Sequence, residues 1–509
     1  MMKRNLSRHP TCMDTARSYR GLFFVVVLAF FFAGGALPGQ SQIFKPAPVL
    51  YQSGGYQAQA IAVADVNKDG NPDVIVANYG TQDGGVVGVL FGNGDGTLQT
   101  AATYSVKFPG ADAIAVGDLN GDGWPDLLVG SNDGSGNPCL SVLLNKGDGT
   151  FEAAVGYEAG FDISSVAIAD VNGDGKPDVI ALAEAIINNY THSVIVVLLG
   201  NGDGTLRAPV TYELTNGEAS AASLAVADLN GDGKPDLVVT NANSSGKGII
   251  YVLLNEGDGT FPTQVTYPSG GFGTSVILGD VNRDGKLDAV VASTSGSVSV
   301  LLGNGDGTFG APVAYPVGLT GPLHVEMGDF NGDGAPDLAV VNTAPIGKLA
   351  ILLNNGEGIF QAPVVYSTGG RNASSVAVAD LNHDGKPDLV VSDGCDGYMD
   401  SCPLGGGVAV LLGVPAKSTT KVTTSGTPSQ NGQPVTFTAA ITSTEGPIPN
   451  GATVTFYNNG TPMGTAKTTD GAATFTTSSL KVGTHTIKAS YPSSAYIKAS
   501  FGTVTQVVN

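Results

Sequence analysis

Asp170-Val171-Asn172-Gly173-Asp174-Gly175-Lys176-Pro177-Asp178 decides the fold, because the chain repeats its pattern seven times. Side-chain oxygens stand at positions 1, 3 and 5, a glycine at position 6 and a further Asp at position 9. The copies begin at Asp65, Asp118, Asp170, Asp228, Asp280, Asp329 and Asp380, 49 to 58 residues apart. Self-similarity at such a period marks a repeat architecture, in which each unit buries its apolar face against its neighbours.

Outward from this copy, Val166-Ala167-Ile168-Ala169 precedes it and Asp178-Val179-Ile180-Ala181 follows, both short strand-like runs. A third run covers residues 194–199, and the turn Gly200-Asn201-Gly202-Asp203-Gly204-Thr205 leads into a fourth over 206–212. Four short strands in roughly 50 residues make one propeller blade, and no helical periodicity competes. Residues 44–51 form a fourth-type strand ahead of the first copy, with no blade of its own. The last copy is followed by a third strand, 408–412, before the chain leaves the pattern at Pro415. The expectation is an all-β chain with a seven-bladed β-propeller over residues 43–416. Residues 44–51 would complete the seventh blade and close the ring, leaving no long edge unpaired.

Strand, Asp-rich loop, strand, strand and a Gly-Asp-Gly-Thr-Phe turn resemble the FG-GAP/VCBS repeats of integrin α-subunit heads and many bacterial surface proteins. The resemblance covers about three quarters of the chain; Glu357 in place of the turn Asp and Leu287 in place of the usual Pro are small departures. It implies a secreted or cell-surface protein that binds calcium and works in adhesion or in binding a glycan or protein. Residues 417–509 are a second domain, dense in Thr and Ser. Alternating runs such as Val435-Thr436-Phe437-Thr438-Ala439 and Val454-Thr455-Phe456-Tyr457 recur there at sandwich spacing. Gly432-Gln433-Pro434-Val435-Thr436-Phe437 and Gly483-Thr484-His485-Thr486-Ile487 resemble bacterial Ig-like repeats, which implies an Ig-like β-sandwich serving as a spacer or adhesive unit.

The loop chemistry suits a hard cation. Ca2+ takes six to eight oxygens in a flexible shell, and alternate short side chains on a tight loop can supply them, with a backbone carbonyl at position 7. The candidate ligands are Asp65, Asn67, Asp69, Asn71 and Asp73; Asp118, Asn120, Asp122, Trp124 and Asp126; and Asp170, Asn172, Asp174, Lys176 and Asp178. The later copies offer Asp228, Asn230, Asp232, Lys234 and Asp236; Asp280, Asn282, Asp284, Lys286 and Asp288; Asp329, Asn331, Asp333, Ala335 and Asp337; and Asp380, Asn382, Asp384, Lys386 and Asp388. The start resembles an EF-hand loop, but position 12 is Val76, Val129 or an equivalent and never Glu, and strands flank it. The position-9 Asp is therefore expected to close the shell, with up to seven Ca2+ bound. Without an ion the same residues make an Asx-type turn with three crowded carboxylates. The Gly-x-Gly-Asp-Gly-Thr turns join strands and open no helix, so no nucleotide is expected on them.

Formal net charge is −20, with +4 on residues 1–42 and +4 on 417–509, which leaves −28 on the repeats. That density repels nucleic acid. Arg17 and Arg20 precede an apolar run over 22–32 and small residues over 33–39, the three parts of a secretory signal cleaved between Ala36 and Gln42. An uncleaved membrane anchor is the rival. Both readings place the repeats outside the cytoplasm, extracellular or periplasmic, as a monomer. Cys12 lies in the signal; Cys395 and Cys402 bracket a short loop suited to a disulfide, and Cys139 is left over as a small hydrophobe at a strand start.

No catalytic residues stand out. His192, His324, His383 and His485 lack paired spacing, no Gly-x-Ser-x-Gly elbow exists, and the clustered acids belong to the loops. A lyase-like, polysaccharide-active propeller and a purely structural envelope component are the alternatives. Strand alternation puts the Asp-rich loops on one face. The connections of the other face carry Tyr56, Tyr79, Phe108, Phe161, Tyr190, Phe272 and Tyr398, which can stack on sugars, anchor a protein or pack between blades. If Cys395 and Cys402 pair, the mature chain denatured without reductant shows one reactive thiol, Cys139; a thiol count of three refutes the pairing.

Overall fold

The computed structural model describes residues 43–509 apart from 46, 82–83, 133–139, 188–189, 215–220, 243–246, 345, 395–405, 445–447 and 495. The signal segment, all four cysteines and Tyr398 lie outside the described residues, which contain no helix.

Val, Ile, Leu and Ala crowd the runs that flank each Asp-rich loop, and such side chains fit a pleated surface buried on both faces. In the fourth copy, Ser223–Ala227, Asp236–Ala242, Gly248–Leu254 and Thr263–Pro268 form one antiparallel sheet in that order. Ala227 pairs with Asp236, so the motif is a hairpin connection whose ninth residue opens the second strand. Ala64 with Asp73, Gly117 with Asp126, Ala169 with Asp178, Gly279 with Asp288, Gly328 with Asp337 and Ala379 with Asp388 repeat that register.

Six such sheets take their four strands consecutively. The last copy departs from this: Ala373–Ala379, Asp388–Asp393 and Gly407–Leu411 are joined by Val49–Gln52 as fourth strand, with Val49 opposite Val410 and Gln52 opposite Gly407. Ahead of that strand, Phe44 bridges Gly413, as Phe309 bridges Gly303 and Phe360 bridges Asn354 in their own copies.

The core lies between neighbouring sheets. Ile180, Leu182, Ile195 and Val197 of the third copy interlock with Leu237, Val239, Tyr251 and Leu253 of the fourth. Val74, Val76 and Leu90 of the first pack against Val390, Val408 and Val410 of the last. Edge-to-face aromatic pairs repeat between sheets, each worth about 0.5–1.5 kcal/mol beyond area burial. Tyr212 meets Phe261, Tyr267 meets Phe309, Tyr315 meets Phe360, and Phe44 meets Tyr366 at 5.8 Å between centroids.

After Ala416 the chain forms a β domain of two sheets. One contains Ser418–Thr424, Val435–Ser443 and Ala472–Thr477; the other contains Thr461–Lys467, Thr453–Asn458, Gly483–Tyr491 and Ser500–Val508. Phe437, Phe456, Ile487 and Tyr491 fill the core between them.

Phe44 is fully buried between Phe330 and Tyr366. Phe44→Ala is expected to cost about 3–5 kcal/mol and to lower the melting temperature as much as Phe261→Ala does. A variant that melts with the parent would place the N-terminal strand outside the last sheet.

Candidate functional site

The seven Asp-rich loops share one hydrogen-bond scheme, visible in the fourth copy. Asp228 at position 1 accepts from the N–H groups of Asp232 and Gly233, and also from Gly231 N–H, a bond shared only with the other copies that have glycine at position 4. Asn230 Oδ1 accepts from Asp232 N–H, and Asp232 Oδ1 from Lys234 N–H. These bonds hold the loop in a tight turn. Positive φ at Gly231 and Gly233 (75° and 82°) permits the turn, because a Cβ disfavours that region.

The ninth position behaves differently from the other four. Asp236 is fully buried; its Oδ2 accepts from Leu229 N–H at 3.1 Å and its Oδ1 from Asn255 N–H at 2.8 Å. Asp73, Asp126, Asp178, Asp288, Asp337 and Asp388 make the same two bonds, one to the loop and one to a residue just past the third strand, which opens the glycine-rich turn in all but the last copy, where it is Gly413. Burial pushes Asp337 up to about 8 and Asp73, Asp126 and Asp388 up to about 6; the two N–H bonds pull the other way, and the carboxylates at positions 5 and 1 add to the rise. Asp178, Asp236 and Asp288 move in the same direction for the same causes. The residue expected to close an ion shell thus has a structural task of its own.

The donor set fits a hard cation: every candidate atom is oxygen, from carboxylate, amide or backbone carbonyl. The first loop also turns the Asn67 amide nitrogen onto Asp69 Oδ2 at 3.1 Å, and Asn120 and Asn331 do likewise in their loops. A half-turn of that amide substitutes an oxygen. In the arrangement described, no group of three or more His, Cys, Asp or Glu converges as metal ligands among the described residues.

Position 7 contributes more than a carbonyl. Asn71, Trp124, Lys176, Lys234 and Lys286 lie against the first glycine of the Gly-Asp-Gly turn in their own copy, Ala335 is buried, and Lys386 is folded inward. Position 4, outside the expected ligand set, ties loop to loop. Lys68 sits 4.2 Å above the Trp124 ring, Arg283 Nη2 donates to Asp333 O at 2.8 Å, and His383 Nε2 lies 3.0 Å from Asn71 Oδ1. All three residues have positive φ (55°, 60° and 55°), where the remaining copies carry glycine. A side chain in a glycine position was the available sequence signal for these braces.

The C-terminal domain meets the same face. Tyr496 lies between the sixth and seventh loops, its ring 5.1 Å from Lys386 Nζ, which donates to Val414 O at 2.6 Å. A Cβ added at Gly332 would come within 2.4 Å of that ring. Ala416 N–H donates to Tyr496 O at 2.7 Å. Burial, with Asp329, Asp380 and Asp384 adding, raises the Tyr496 hydroxyl above its ordinary range.

The aromatic candidates of the other face divide. Tyr56 and Phe272 are exposed, 44% and 43%. Phe108 packs against Gly156 of the next copy and Tyr79 against Gly110, so both serve packing between sheets. The Phe161 and Tyr190 backbones lie in strands, and their side chains, with Tyr398, are outside the described residues.

An FG-GAP-like repeat family model matches residues 65–129, 118–181, 183–239, 228–291, 280–340 and 329–391. A bacterial Ig-like domain (group 3) model matches 422–509. Among solved structures, the chain is similar to BBS1N in complex with ARL6DN at 11% identity, over 73% of this chain and 97% of that one, with a TM-score of 0.46. It is also similar to the rhamnogalacturonan lyase YesW at 16% identity, over 66% and 74%, with a TM-score of 0.37. Likenesses this distant carry no inference about activity.

The two acid positions separate under mutation. Asp236→Ala strands two buried N–H groups and is expected to cost about 2–5 kcal/mol with or without calcium. Asp232→Asn keeps its bond to Lys234 N–H and is expected to cost under about 1 kcal/mol in chelator. Denaturant unfolding of both variants checks this; equal losses would mean the ninth position is no clasp.

Proposed function

The chain belongs to the FG-GAP-like repeat family, and we propose that it works as an exported, non-catalytic, calcium-loaded propeller that binds a glycan or a protein outside the cell. The observation that carries this reading is the sevenfold return of one oxygen-rich loop with one hydrogen-bond scheme. A catalytic or regulatory ion needs one or two such loops; seven suit a structural ion in every blade. In this reading the sheets form a closed ring of seven. The fourth strand given by Val49–Gln52 supports closure, as do His383 on Asn71 and the 2.7 Å bond from Ser374 Oγ to Ala58 O.

Each loop would hold its cation through the oxygens of positions 1, 3 and 5 and the position-7 carbonyl, with the ninth carboxylate behind them. The bound ion would neutralise carboxylates that otherwise repel one another. The non-catalytic reading is supported by histidines that already have structural neighbours. His192 lies 2.8 Å from a Glu213 oxygen, His485 contacts Asn458 and Lys481 O, and His324 accepts from Val376 N–H. The Ig-like domain would act as a spacer or second adhesive unit.

Extracellular calcium modules bind with dissociation constants of about 10⁻⁴–10⁻³ M. At roughly 1 mM calcium and the tighter value, each site adds about 1.4 kcal/mol, so seven independent sites approach about 10 kcal/mol. Thermal unfolding in 2 mM calcium against excess chelator is expected to differ by tens of degrees. Superimposable curves would reduce the loops to turns.

A further inference from the structure

Residues from all seven copies line one cavity of about 260 Å³, at the end of the innermost strands opposite the Asp-rich loops. A repeated device builds its wall. The register of the innermost strand slips between Ala58 and Ala60, Ala111 and Ala113, Gly273 and Ser275, Pro322 and His324, and Ala373 and Ser375. The residue inside each slip lines the cavity: Gln59, Asp112, Thr274, Leu323 and Ser374. Bulges bend a strand and re-aim a side chain, and they cluster at barrel rims and beside binding sites.

The wall mixes polar and apolar groups all round. The seventh, first, second and third copies, adjacent around the cavity, contribute Ser374, Gln59, Asp112 and Ser164. The fourth contributes Ala222 and Ser223, the fifth Thr274 and the sixth Leu323 and His324, and the Thr274 hydroxyl donates to the Ala292 and Pro322 carbonyls at 3.2 and 3.0 Å. Ile61, Ile114, Val166, Ala222 and Leu323 set hydrocarbon among these polar groups.

Donors and acceptors are mixed around the wall. Ser164 Oγ donates to Ala221 O and Ser374 Oγ to Ala58 O, leaving oxygen lone pairs for a ligand. Ser165 and Ser223, which also line the cavity, accept from Leu224 and Val276 N–H, leaving their O–H groups as donors. No described residue donates a hydrogen bond to the Asp112 carboxylate, which burial and neighbouring Asp162 push up to about 6. No Lys or Arg lines the cavity.

We propose that this axial cavity takes one neutral sugar residue, the terminal unit of a glycan. A pyranose has the same mixed character: hydroxyls that both give and accept hydrogen bonds, and C–H groups between them. The volume sits just below the usual range for ligand pockets, roughly 300–1,000 Å³, which suits a single ring. An anionic sugar meets a carboxylate and no compensating cation, so the site discriminates against uronates. The proposal rests on the glycan-binding reading above and gives it a location.

The test uses the full secreted chain in 2 mM calcium, titrated calorimetrically with methyl glycosides of galactose, glucose, mannose, rhamnose and N-acetylglucosamine, with galacturonate as the anionic probe. At least one neutral glycoside is expected to bind, and galacturonate to bind at least about tenfold more weakly. Asp112→Ala is expected to weaken binding by about tenfold or more. Ala222→Phe, which fills part of the cavity, is expected to abolish it. Tyr56→Ala and Phe272→Ala, outside the cavity, are expected to bind as the parent does. Melting temperatures verify folding, and if Ala222→Phe does not fold, Asp112→Ala decides alone. Parent-like affinity in the cavity variants, with loss in the Tyr56 or Phe272 variants, overturns the location and leaves glycan binding standing. A parent that binds none of the glycosides overturns the location together with the glycan reading, and the cavity then holds only water.

Discussion

Everything on the loop face depends on the buried carboxylate at the ninth position of each repeat. One oxygen holds the N–H of the loop's second residue and the other holds an N–H just past the third strand, so two connections that are distant in sequence are fixed to each other. Where the carboxylate is ionised, bonds of this kind contribute about 1.5–3 kcal/mol each. The second residue's carbonyl then reaches the neighbouring copy: Val171 O accepts from Asn255 Nδ2 at 2.8 Å, Leu229 O from Gly307 N–H at 3.2 Å, and Leu381 O from Gly96 N–H at 3.1 Å. A single side chain thereby sets the loop, the turn and the angle to the next sheet. A carboxylate is needed because one group must accept from two directions in a place that water does not reach.

Much of this was legible in the sequence. The spacing of the seven motifs gave the four-stranded units, and Phe44, with Tyr51 after it, marked an orphan strand whose place the structure assigns. The boundaries moved by a few residues because the aromatic bridge at Phe44 is separated from the paired stretch Val49–Gln52. The double duty of Asp236 and its equivalents was not legible. Spacing that suits an oxygen ligand also suits an acceptor for backbone N–H groups, and only burial separates the two. The bulges that turn Gln59 and Asp112 toward the axis were hidden as well, since one extra residue in an alternating strand leaves no compositional mark.

The C-terminal domain could be read as a sandwich from its own alternation, whereas its seat on the repeats could not. That seat depends on Tyr496 meeting Gly332 and on Lys386 turning inward, three residues that look ordinary in their own segments. Lys386 differs from Lys234 and Lys286 at the same motif position through its surroundings, with the Val414 carbonyl and the tyrosine ring replacing solvent. Contacts between distant segments specify such positions, and a periodic pattern carries no information about them.

The sheet made from both ends of the repeat array has a consequence for biogenesis. Val49–Gln52 leaves the ribosome long before Gly407–Leu411, so the chain carries an orphan edge throughout its synthesis while six sheets assemble from local segments. Loop-closure entropy grows only logarithmically with length, so the thermodynamic penalty of that long span is modest. The delay is the greater hazard, because non-local pairing is slow and a waiting edge finds other partners. The nearest suitable partner is the unfinished last sheet of a second nascent molecule, whose register is identical. Strand exchange between copies is therefore the misassembly this architecture invites, and dilution is expected to suppress it.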